Sequence, residues 1–465
     1  MRRPATTLLL AGLAGCSFIP AYQRPALPVS AQYPATGPAG PQAADIGWRA
    51  MFPDPALQDL IAVSLTNNRD LRVAVLNVVQ AQSQYASDRA NLFPAIDATA
   101  GLDRSHTPGN VEGFSGATDV RDYSLGIGAV SWELDLFGKI RAQATQAHET
   151  YLSDAETMRS TQISLIAEMS SSYFIWLADR ESLAIAQSTA AAQEHSLQLT
   201  QAELAHGISS AMDVAEAQST LDTALANEAA YDRQVSADMD ELVLLAGAPL
   251  PAPLLARMNA VNGLDAEPAF PSLPAGLPAD LLERRPDILA AEHTLLGANA
   301  NVGAARSAFF PSITLTANDG VASNGLNSLF AAGQGAWLFE PSISVPIFAA
   351  GQNIANLDVA KTEKRIEIAN YEKAIQSAFH DVADALSARA TYVAEVQAEQ
   401  NLVNADTSYA KLAQMRFSAG IDSYLNVLVA QNSLLSARLS LVSLQLSARQ
   451  NDITLYKALG GGWKE

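Results

Sequence analysis

One cysteine and six histidines are the side chains with most scope for nucleophilic, acid–base or metal chemistry. The histidines are scattered along the chain: His106, His148, His195, His206, His293 and His380. None falls in a His-Glu-x-x-His pair or in another metal-binding spacing. The glycine cluster at 460–462 is typical of a helix C-cap and tail rather than of a phosphate loop. We therefore expect no enzyme, no catalytic residue, no bound metal and no cofactor.

Cys16, the single cysteine, lies at the end of a secretory signal. Arg2 and Arg3 precede a short apolar run, and the small residues of Leu13-Ala14-Gly15 lead into Cys16. This sequence matches the lipobox of bacterial lipoproteins, which implies removal of residues 1–15 and attachment of lipid, including palmitate, to Cys16. Ser17 favours sorting to the outer membrane. The alternative is an ordinary buried thiol beside a signal peptide.

The charge of the chain narrows the choice of partners. The formal net charge is −19, and removal of Arg2 and Arg3 leaves 27 − 48 = −21. An acidic surface disfavours nucleic acid, whose phosphates need a basic face. No later segment has about 18 continuous apolar residues, so we expect no transmembrane helix. Membrane crossing would then require a closed β-barrel.

Two pairs of stretches lack both Gly and Pro, the residues that most often break regular structure. One pair covers 139–206 and 208–246, and the other covers 352–419 and 421–459, so each pair has 68 and 39 residues. These runs predict two pairs of very long helices, the longer member reaching roughly 100 Å.

The helix pairs belong to an internal duplication. Arg89 and Pro94 recur as Arg306 and Pro311. We divide the chain into an N-terminal segment 16–50, repeat 1 over 51–248, a Pro-rich linker 249–277, repeat 2 over 278–460 and a tail 461–465. Each repeat opens with a helix, predicted over 55–92 and 278–309, with Asp54 and Asp280 as start signals.

Each repeat also contains a predicted β-hairpin, over 94–137 and 311–348. Apolar and polar residues alternate in four segments, beginning near Ile96, Tyr123, Ile313 and Trp337. The connections 104–120 and 319–336 are rich in small and polar residues and are expected to be loops. Four strands cannot close a membrane barrel, so they either close with strands of other subunits or form a soluble sheet. The aromatic residues at strand ends favour a membrane interface: Tyr123, Trp132, Trp337 and Phe339.

The last long helix has coiled-coil spacing. Its a-type series is Leu425, Asn432, Leu439, Leu446 and Ile453, and its d-type series is Leu428, Leu435 and Val442. Asn432 in an a-type position would fix the helix register. A narrow apolar seam with a wide polar face suits a tube of helices around water. The alternative is a long soluble coiled coil.

Several motifs occur in a fixed order: Pro20–Pro25 after the lipobox, Trp132–Lys139, Arg284–Ile288, Phe417–Gly420 and Val427–Gln431. In this order, and with the duplication, they resemble the TolC-like outer membrane factors. The closest branch is the outer membrane lipoproteins of tripartite, RND-type drug efflux systems. The resemblance covers residues 16–465.

The resemblance implies a fold class: an α+β membrane protein forming a homotrimer. Three chains with four strands each would form a 12-stranded β-barrel in the outer membrane, continued by a periplasmic α-helical coiled-coil barrel. Residues 17–50, the stretch 249–286 and the C-terminus would form a belt around the middle of the tunnel. Gly207 and Gly420 would turn the chain at the periplasmic tip, where Phe417 also lies and an adaptor would dock.

The family's tunnel closes just beyond these turns. Its constriction positions correspond to Asp213 in repeat 1 and to Leu425, Asn426 and Val429 in repeat 2. Relatives often have Asp at the positions of Asn426 or Val429, which this chain lacks. A ring of Leu425 and Val429 would be an apolar plug. The alternatives are a heptad core role for Leu425 and a helix-capping role for Asp213.

The function that the resemblance implies is an outer membrane exit duct of a tripartite pump. The duct would conduct drugs or other small molecules passively, with a periplasmic adaptor, an inner-membrane transporter and outer membrane lipid as partners. Two alternatives stay open: the duct of a type I protein secretion system, and a lipid-anchored coiled-coil scaffold without a pore.

Overall fold

The computed structural model describes residues 17–33, 43–109, 117–274, 276 and 278–463. The predicted signal peptide and Cys16 lie outside the described residues. The helices are α1 (Trp48–Met51), α2 (Pro55–Asn67), α3 (Arg69–Ala90), α4 (Lys139–Ala205), α5 (Ala211–Ala246), α6 (Ala252–Ala260), α7 (Leu281–Arg284), α8 (Pro286–Ser307), α9 (Gln352–Ser418) and α10 (Tyr424–Ala458). Short 3₁₀ turns lie at Ala43–Asp45, Leu264–Ala266, Pro278–Asp280 and Leu326–Ser328.

The four long helices coincide with the stretches that lack Gly and Pro. α4 and α9 end one residue before the predicted ends at 206 and 419. α5 and α10 begin three residues later than the predicted 208 and 421, because Ser210 and Ser423 occupy the N-cap positions. The residues between each pair form the turn that reverses the chain.

The opening helix of each repeat is broken, although the sequence predicted one continuous helix over 55–92 and another over 278–309. Asn68 is extended, and its side-chain oxygen accepts hydrogen bonds from the amides of Asp70 and Leu71 at 2.9 and 3.0 Å. Pro286 starts α8 after the extended residue Arg285, as the clash of a proline with the preceding backbone requires.

The two predicted start signals differ in outcome. Asp54 caps α2, accepting hydrogen bonds from the amides of Ala56 and Leu57 at 3.0 Å each. Asp280 precedes α7 but makes no side-chain capping bond, so this part of the prediction was wrong. The backbone of Asp280 is already helical because it belongs to a 3₁₀ turn.

One four-stranded antiparallel sheet, in the order β1-β2-β3-β4, contains both hairpins. Its strands are β1 (Asp97–Thr107), β2 (Thr118–Glu133), β3 (Ser312–Ser323) and β4 (Gly335–Ser344). The loops are shorter than the predicted 104–120 and 319–336. Polar residues that suggested a loop pair across the ladder instead, and the β1–β2 ladder continues to Thr107 opposite Thr118.

A β-bulge interrupts the ladder between β2 and β3, where the register shifts between Ala129 and Trp132. Ser131 has a φ of 53°, and its amide donates a hydrogen bond to the Thr316 hydroxyl at 3.1 Å. Such a bulge increases local twist and re-aims the side chains near the end of the strand.

Two compact units exist, and neither coincides with a repeat. The first comprises the described residues up to Ala26 with Asn77–Asp154 and Ala290–Tyr371; the second comprises Leu27–Leu76, Ala155–Leu289 and Glu372–Glu465. Equivalent parts of the two repeats therefore pack together. The predicted N-terminal segment 16–50 is not one piece, because its described residues are divided between the two units.

Aromatic rings contact one another in each unit. In the first, Phe18 stacks on Phe310 with ring centroids 4.5 Å apart, and Phe137 stacks on the same ring at 5.1 Å. In the second, Phe52 makes edge contacts with Phe270 and Tyr456 at 5.5 and 6.0 Å. Aromatic pairs in stacked and edge geometries stabilise packing beyond their buried area alone.

Among the described helices, α10 is long and apolar enough to cross a membrane by length and composition. The sequence test required a continuous apolar run, which Ser and Gln residues interrupt in this helix. The sequence therefore has no uninterrupted apolar run long enough to cross a membrane, but α10 reaches the required mean hydropathy. A third of the most apolar window of α10 is buried within the protein.

Candidate gate at the helix turns

The α4–α5 and α9–α10 turns have the same backbone design. Gly207 and Gly420 have φ values of 72° and 70°, the left-handed conformation that glycine adopts most readily. The amides of Ile208 and Ile421 donate to the carbonyls of Glu203 and Arg416, each at 2.9 Å. This bond spans five residues and closes a Schellman motif in both repeats. The duplication thus extends to individual hydrogen bonds.

Beyond the shared design, the first turn has a capping box. The Ser210 hydroxyl accepts from the Asp213 amide at 3.2 Å, while the Asp213 carboxylate accepts from the Ser210 amide at 2.8 Å. Hydrogen bonds from Ser210, and from the Ser209 hydroxyl at 3.1 Å, hold the pKa of Asp213 below its usual value. The carboxylate of Asp213 is therefore engaged in fixing the start of α5.

The second turn is held by an ion pair instead. The Arg416 guanidinium donates to the Asp422 carboxylate at 2.5 Å and lowers its pKa. Ser423, the N-cap residue of α10, makes no capping bond with its side chain. Sequence reasoning missed this pair, although Arg416 and Asp422 flank Gly420 closely enough to suggest it.

A small apolar core lies directly under the two turns. Its buried members are Leu197, Ala217, Leu221, Ala413, Tyr424, Val427, Leu428 and Ala430. Phe417 packs against this core, with its ring 5.5 Å from that of Tyr424. The Ser196 and Tyr424 hydroxyls are hydrogen bonded at 2.6 Å, and Gln193 donates to Gln431 at 2.9 Å. The first turn of α10 is thus anchored to α4.

Leu425, Asn426 and Val429 face away from this core. Leu425 is 55% exposed and Val429 is 47% exposed, whereas Leu428 is 4% exposed. Leu425 and Val429 are four residues apart and therefore share one face of α10. Within the single chain, Leu425 therefore lies outside the buried core. The opening of α10 consequently has a buried apolar stripe and a second, exposed one.

The buried stripe of α10 also departs from the predicted heptad frame. Val427, Ala430, Ala437 and Leu441 are buried in addition to Leu428 and Val442. Asn432 is exposed, so it does not fix the register of this helix within the chain. The a-type series becomes buried only further along, at Ile453.

Comparison with known proteins identifies this architecture. The pattern of the outer membrane efflux protein family matches residues 60–248 and 277–461, close to the predicted repeats 51–248 and 278–460. The chain belongs to the outer membrane efflux protein family. It is 47% identical over 462 residues to the toluene efflux pump outer membrane protein TtgC of Pseudomonas putida, covering 97% of this chain and 94% of the relative.

Solved structures of similar channels share the fold. The open state of the Neisseria gonorrhoeae MtrE outer membrane channel has a TM-score of 0.88 at 36% identity, covering 97% of this chain and 99% of that one. A membrane protein from Pseudomonas aeruginosa has a TM-score of 0.89 at 34% identity, covering 96% and 100%.

These matches confirm the expected family, fold class, outer membrane location and efflux function. The chain is an outer membrane channel of a tripartite efflux system, working with an adaptor and an inner-membrane transporter, and is not an enzyme. Its four strands and long helices are those of the trimeric 12-stranded barrel and helical barrel that the sequence predicted.

The motif Trp132–Lys139 connects the sheet of the channel to α4 through polar contacts. Lys139 forms an ion pair with Glu133 at 3.0 Å. The Asp135 carboxylate accepts from the amides of Ile140 and Arg141, and also from the Arg141 side chain at 2.9 Å. These bonds satisfy backbone donors at the start of the helix, so the motif is structural.

The motif Arg284–Ile288 is structural as well. Arg284 pairs with Asp45 at 2.9 Å. The largely buried Arg285 pairs with Asp287 at 2.7 Å and with Asp381 at 3.2 Å. The planar guanidinium group of arginine can donate hydrogen bonds to both of these carboxylates at once. The motif therefore ties the start of α8 to α9.

Proposed function

We propose that the channel conducts small, largely apolar organic molecules such as drugs and solvents, passively, from a pump and adaptor across the outer membrane. The observation that carries this proposal is the exposed pair Leu425 and Val429 beside the neutral Asn426. An apolar constriction sets no charge barrier and can gate by excluding water. The relative at 47% identity is named for toluene efflux, which supports the same substrate class.

The proposed gate is formed by three copies of the opening turn of α10. In a homotrimer, Leu425 and Val429 from each chain converge into an apolar ring, with Asn426 beside it. Asp213 contributes through the capping box that fixes the first turn of α5, rather than as an acidic lining residue. The constriction would then be an apolar ring that excludes water, where relatives often have an acidic ring.

The proposed adaptor site is the surface of the two turns. Gly207 and Gly420 have open space around them, and Ile208, Met212 and Ile421 are highly exposed. Exposed apolar residues at a loop tip favour a protein partner. Phe417 supports this surface from beneath by packing against the apolar core.

The proposed lipid anchor is Cys16, which precedes a well-anchored segment. Arg24 forms a two-pronged ion pair with Glu292, with both nitrogen–oxygen distances at 2.8 Å. Asn299 donates to the Pro20 carbonyl at 2.9 Å, and Arg306 donates to the Phe18 carbonyl at 3.3 Å. We call residues 17–26, held along α8 in this way, the N-terminal clasp. The clasp supports a fixed attachment point for acyl chains at Cys16.

Gene deletion with complementation tests the proposed substrate class. We expect the deletion to increase susceptibility to apolar drugs and solvents, with no change in secreted proteins, and the intact gene to restore resistance. Loss of a secreted protein with unchanged susceptibility would favour type I secretion instead. In planar bilayers the purified protein should conduct ions, and a silent bilayer would contradict a pore.

A further inference from the structure

Two arginines face each other near the loop end of the first hairpin. Arg104 of β1 is directly opposite Arg121 of β2, and both side chains are exposed. Residues directly opposite in an antiparallel pair project from the same face of the sheet. The two guanidinium groups therefore share one face at one height.

That face is the apolar face of the hairpin. Towards the helices, the next pairs on it are Leu102 with Tyr123, Ala100 with Leu125, and Ala98 with Ile127. The opposite face has the pairs Asp103 with Asp122, Gly101 with Ser124, and Thr99 with Gly126. In a membrane barrel the apolar face contacts lipid and the polar face lines the water-filled interior. The arginine pair consequently lies on the lipid side, one step beyond the apolar band.

The height of the pair follows from chain connectivity. All four strands join α3, α4, α8 or α9 at one end of the sheet, and the hairpin connections lie at the other end. The helices of an outer membrane efflux channel extend into the periplasm, so the connection end reaches the outer leaflet. Tyr123, beside Leu102, suits the boundary between hydrocarbon and headgroups. The arginines are then at the level of the outer-leaflet headgroups.

The charges around Arg104 and Arg121 favour the binding of an anion. Like charges directly opposite each other destabilise a strand pair. The neighbouring carboxylate on this face is Asp119, which bonds with the His106 ring nitrogen at 2.9 Å. The two guanidinium groups thus face one carboxylate, which leaves an excess of positive charge. The like pair Asp103 and Asp122 points to the aqueous interior, where water and counterions solvate it.

We propose that Arg104 and Arg121 bind a phosphate group of the anionic glycolipid of the outer leaflet. Guanidinium groups bind phosphate oxygens through paired, charge-assisted hydrogen bonds. One phosphate between the two side chains would neutralise their repulsion and hold a lipid beside the apolar band. The inference rests on the outer membrane location and adds a specific lipid contact to the transport function.

Lipid binding to the purified, full-length channel tests this site. Native mass spectrometry would compare bisphosphorylated lipid A, the same lipid without phosphates, and phosphatidylglycerol. We expect wild type to bind the bisphosphorylated form at least about tenfold more tightly than the other two. The variant R104Q/R121Q should lose this preference, and R104K/R121K should keep part of it, because lysine retains the charge without the bidentate geometry.

The matched control is R233Q/R365Q, which removes the same charge from exposed positions on α5 and α9. We expect this control to bind like wild type. An unchanged preference in R104Q/R121Q would overturn the proposal. Equal binding of phosphatidylglycerol by wild type would overturn the assignment to the glycolipid. If R104Q/R121Q fails to assemble, the wild-type comparison of phosphorylated and dephosphorylated lipid still decides, since equal binding would refute the site.

Discussion

The hydroxyl of Tyr173 lies between two buried carboxyl groups, Asp54 at 2.9 Å and Glu267 at 3.1 Å. A phenol has one proton and can donate to one of them at a time. Burial, and then the charge of Asp54, raises the pKa of Glu267 to about 7. A protonated Glu267 can donate its own hydrogen bond to the tyrosine oxygen. The Pro-rich linker is thereby held to α4 by a shared proton, which sequence patterns do not reveal.

The raised pKa of Glu267 predicts that the stability of the protein depends on pH. A carboxyl whose pKa is raised by folding stabilises the protein while protonated, and the stabilisation is lost as the pH rises through the folded pKa. A rise from 4.5 to about 7 corresponds to about 3 kcal/mol. We expect Glu267→Gln, which cannot ionise, to match wild type in melting temperature at pH 5 and to exceed it at pH 8. The exposed Glu283→Gln is the control and should follow wild type at both pH values. An identical pH dependence of Glu267→Gln and wild type would refute the shared proton.

The gate predicts a second effect at the scale of a single side chain. Leu425→Ser places a hydroxyl in the proposed apolar ring, which lowers the cost of wetting the constriction. We expect a severalfold higher single-channel conductance in planar bilayers and greater antibiotic leakage in cells. Leu412→Ser is the matched control, because Leu412 is 54% exposed near the same turn but on α9. If both variants conduct alike, Leu425 does not line the constriction.

At the scale of an element, α8 carries a groove for the N-terminal clasp. A Cβ added at Gly303 would lie 2.7 Å from the Ile19 Cγ1 atom and 2.8 Å from its amide nitrogen. Real side chains essentially never approach this closely, so the clasp must move. Alanine favours a helix over glycine by about 1 kcal/mol, so α8 itself should persist.

Gly303→Ala is therefore expected to release the clasp without unfolding the helix. Limited chymotrypsin digestion with mass spectrometry should show faster cleavage after Phe18 and Tyr22. Gly297→Ala on the same helix is the control, since its added Cβ would have its nearest contacts at an ordinary 3.6 Å. Equal cleavage rates in the two variants would show that the clasp does not depend on this close approach.

The elements also show what the sequence can and cannot predict. Runs without Gly and Pro located the long helices because the glycines that flank these helices have positive φ, which favours glycine. The break at Asn68 was missed because it depends on a distant contact, in which the Asn68 amide donates to the Leu245 carbonyl at 3.0 Å. The heptad series did not separate the exposed Leu425 from the buried Leu428, because the two residues are equally apolar and only packing distinguishes them. Periodicity reports local geometry, whereas burial depends on the tertiary partner.

For the whole molecule, the sheet explains why one chain is not enough. In the described sheet, β1 and β4 are edge strands with one partner each. Open edges are not tolerated in lipid. Because strand direction alternates along the sheet, β4 of one copy is antiparallel to β1 of the next copy. The barrel can therefore close with antiparallel pairs throughout. These edges support the proposed homotrimer independently of any lipid anchor.

The proposed lipid anchor and the barrel should therefore make separable contributions to membrane attachment and assembly. Acyl chains at Cys16, if the proposed lipidation occurs, would add membrane affinity in proportion to their buried length, but they would provide no hydrogen bonds to a strand edge. We expect Cys16→Ala to lack the lipid mass yet to remain a conducting trimer by native mass spectrometry and planar-bilayer recording. Ser17→Ala, which keeps the cysteine, is the control and should stay lipidated and trimeric. A Cys16→Ala protein that is monomeric and lacks β signal in circular dichroism would mean that strand closure depends on the anchor, and that the edges alone do not assemble the channel.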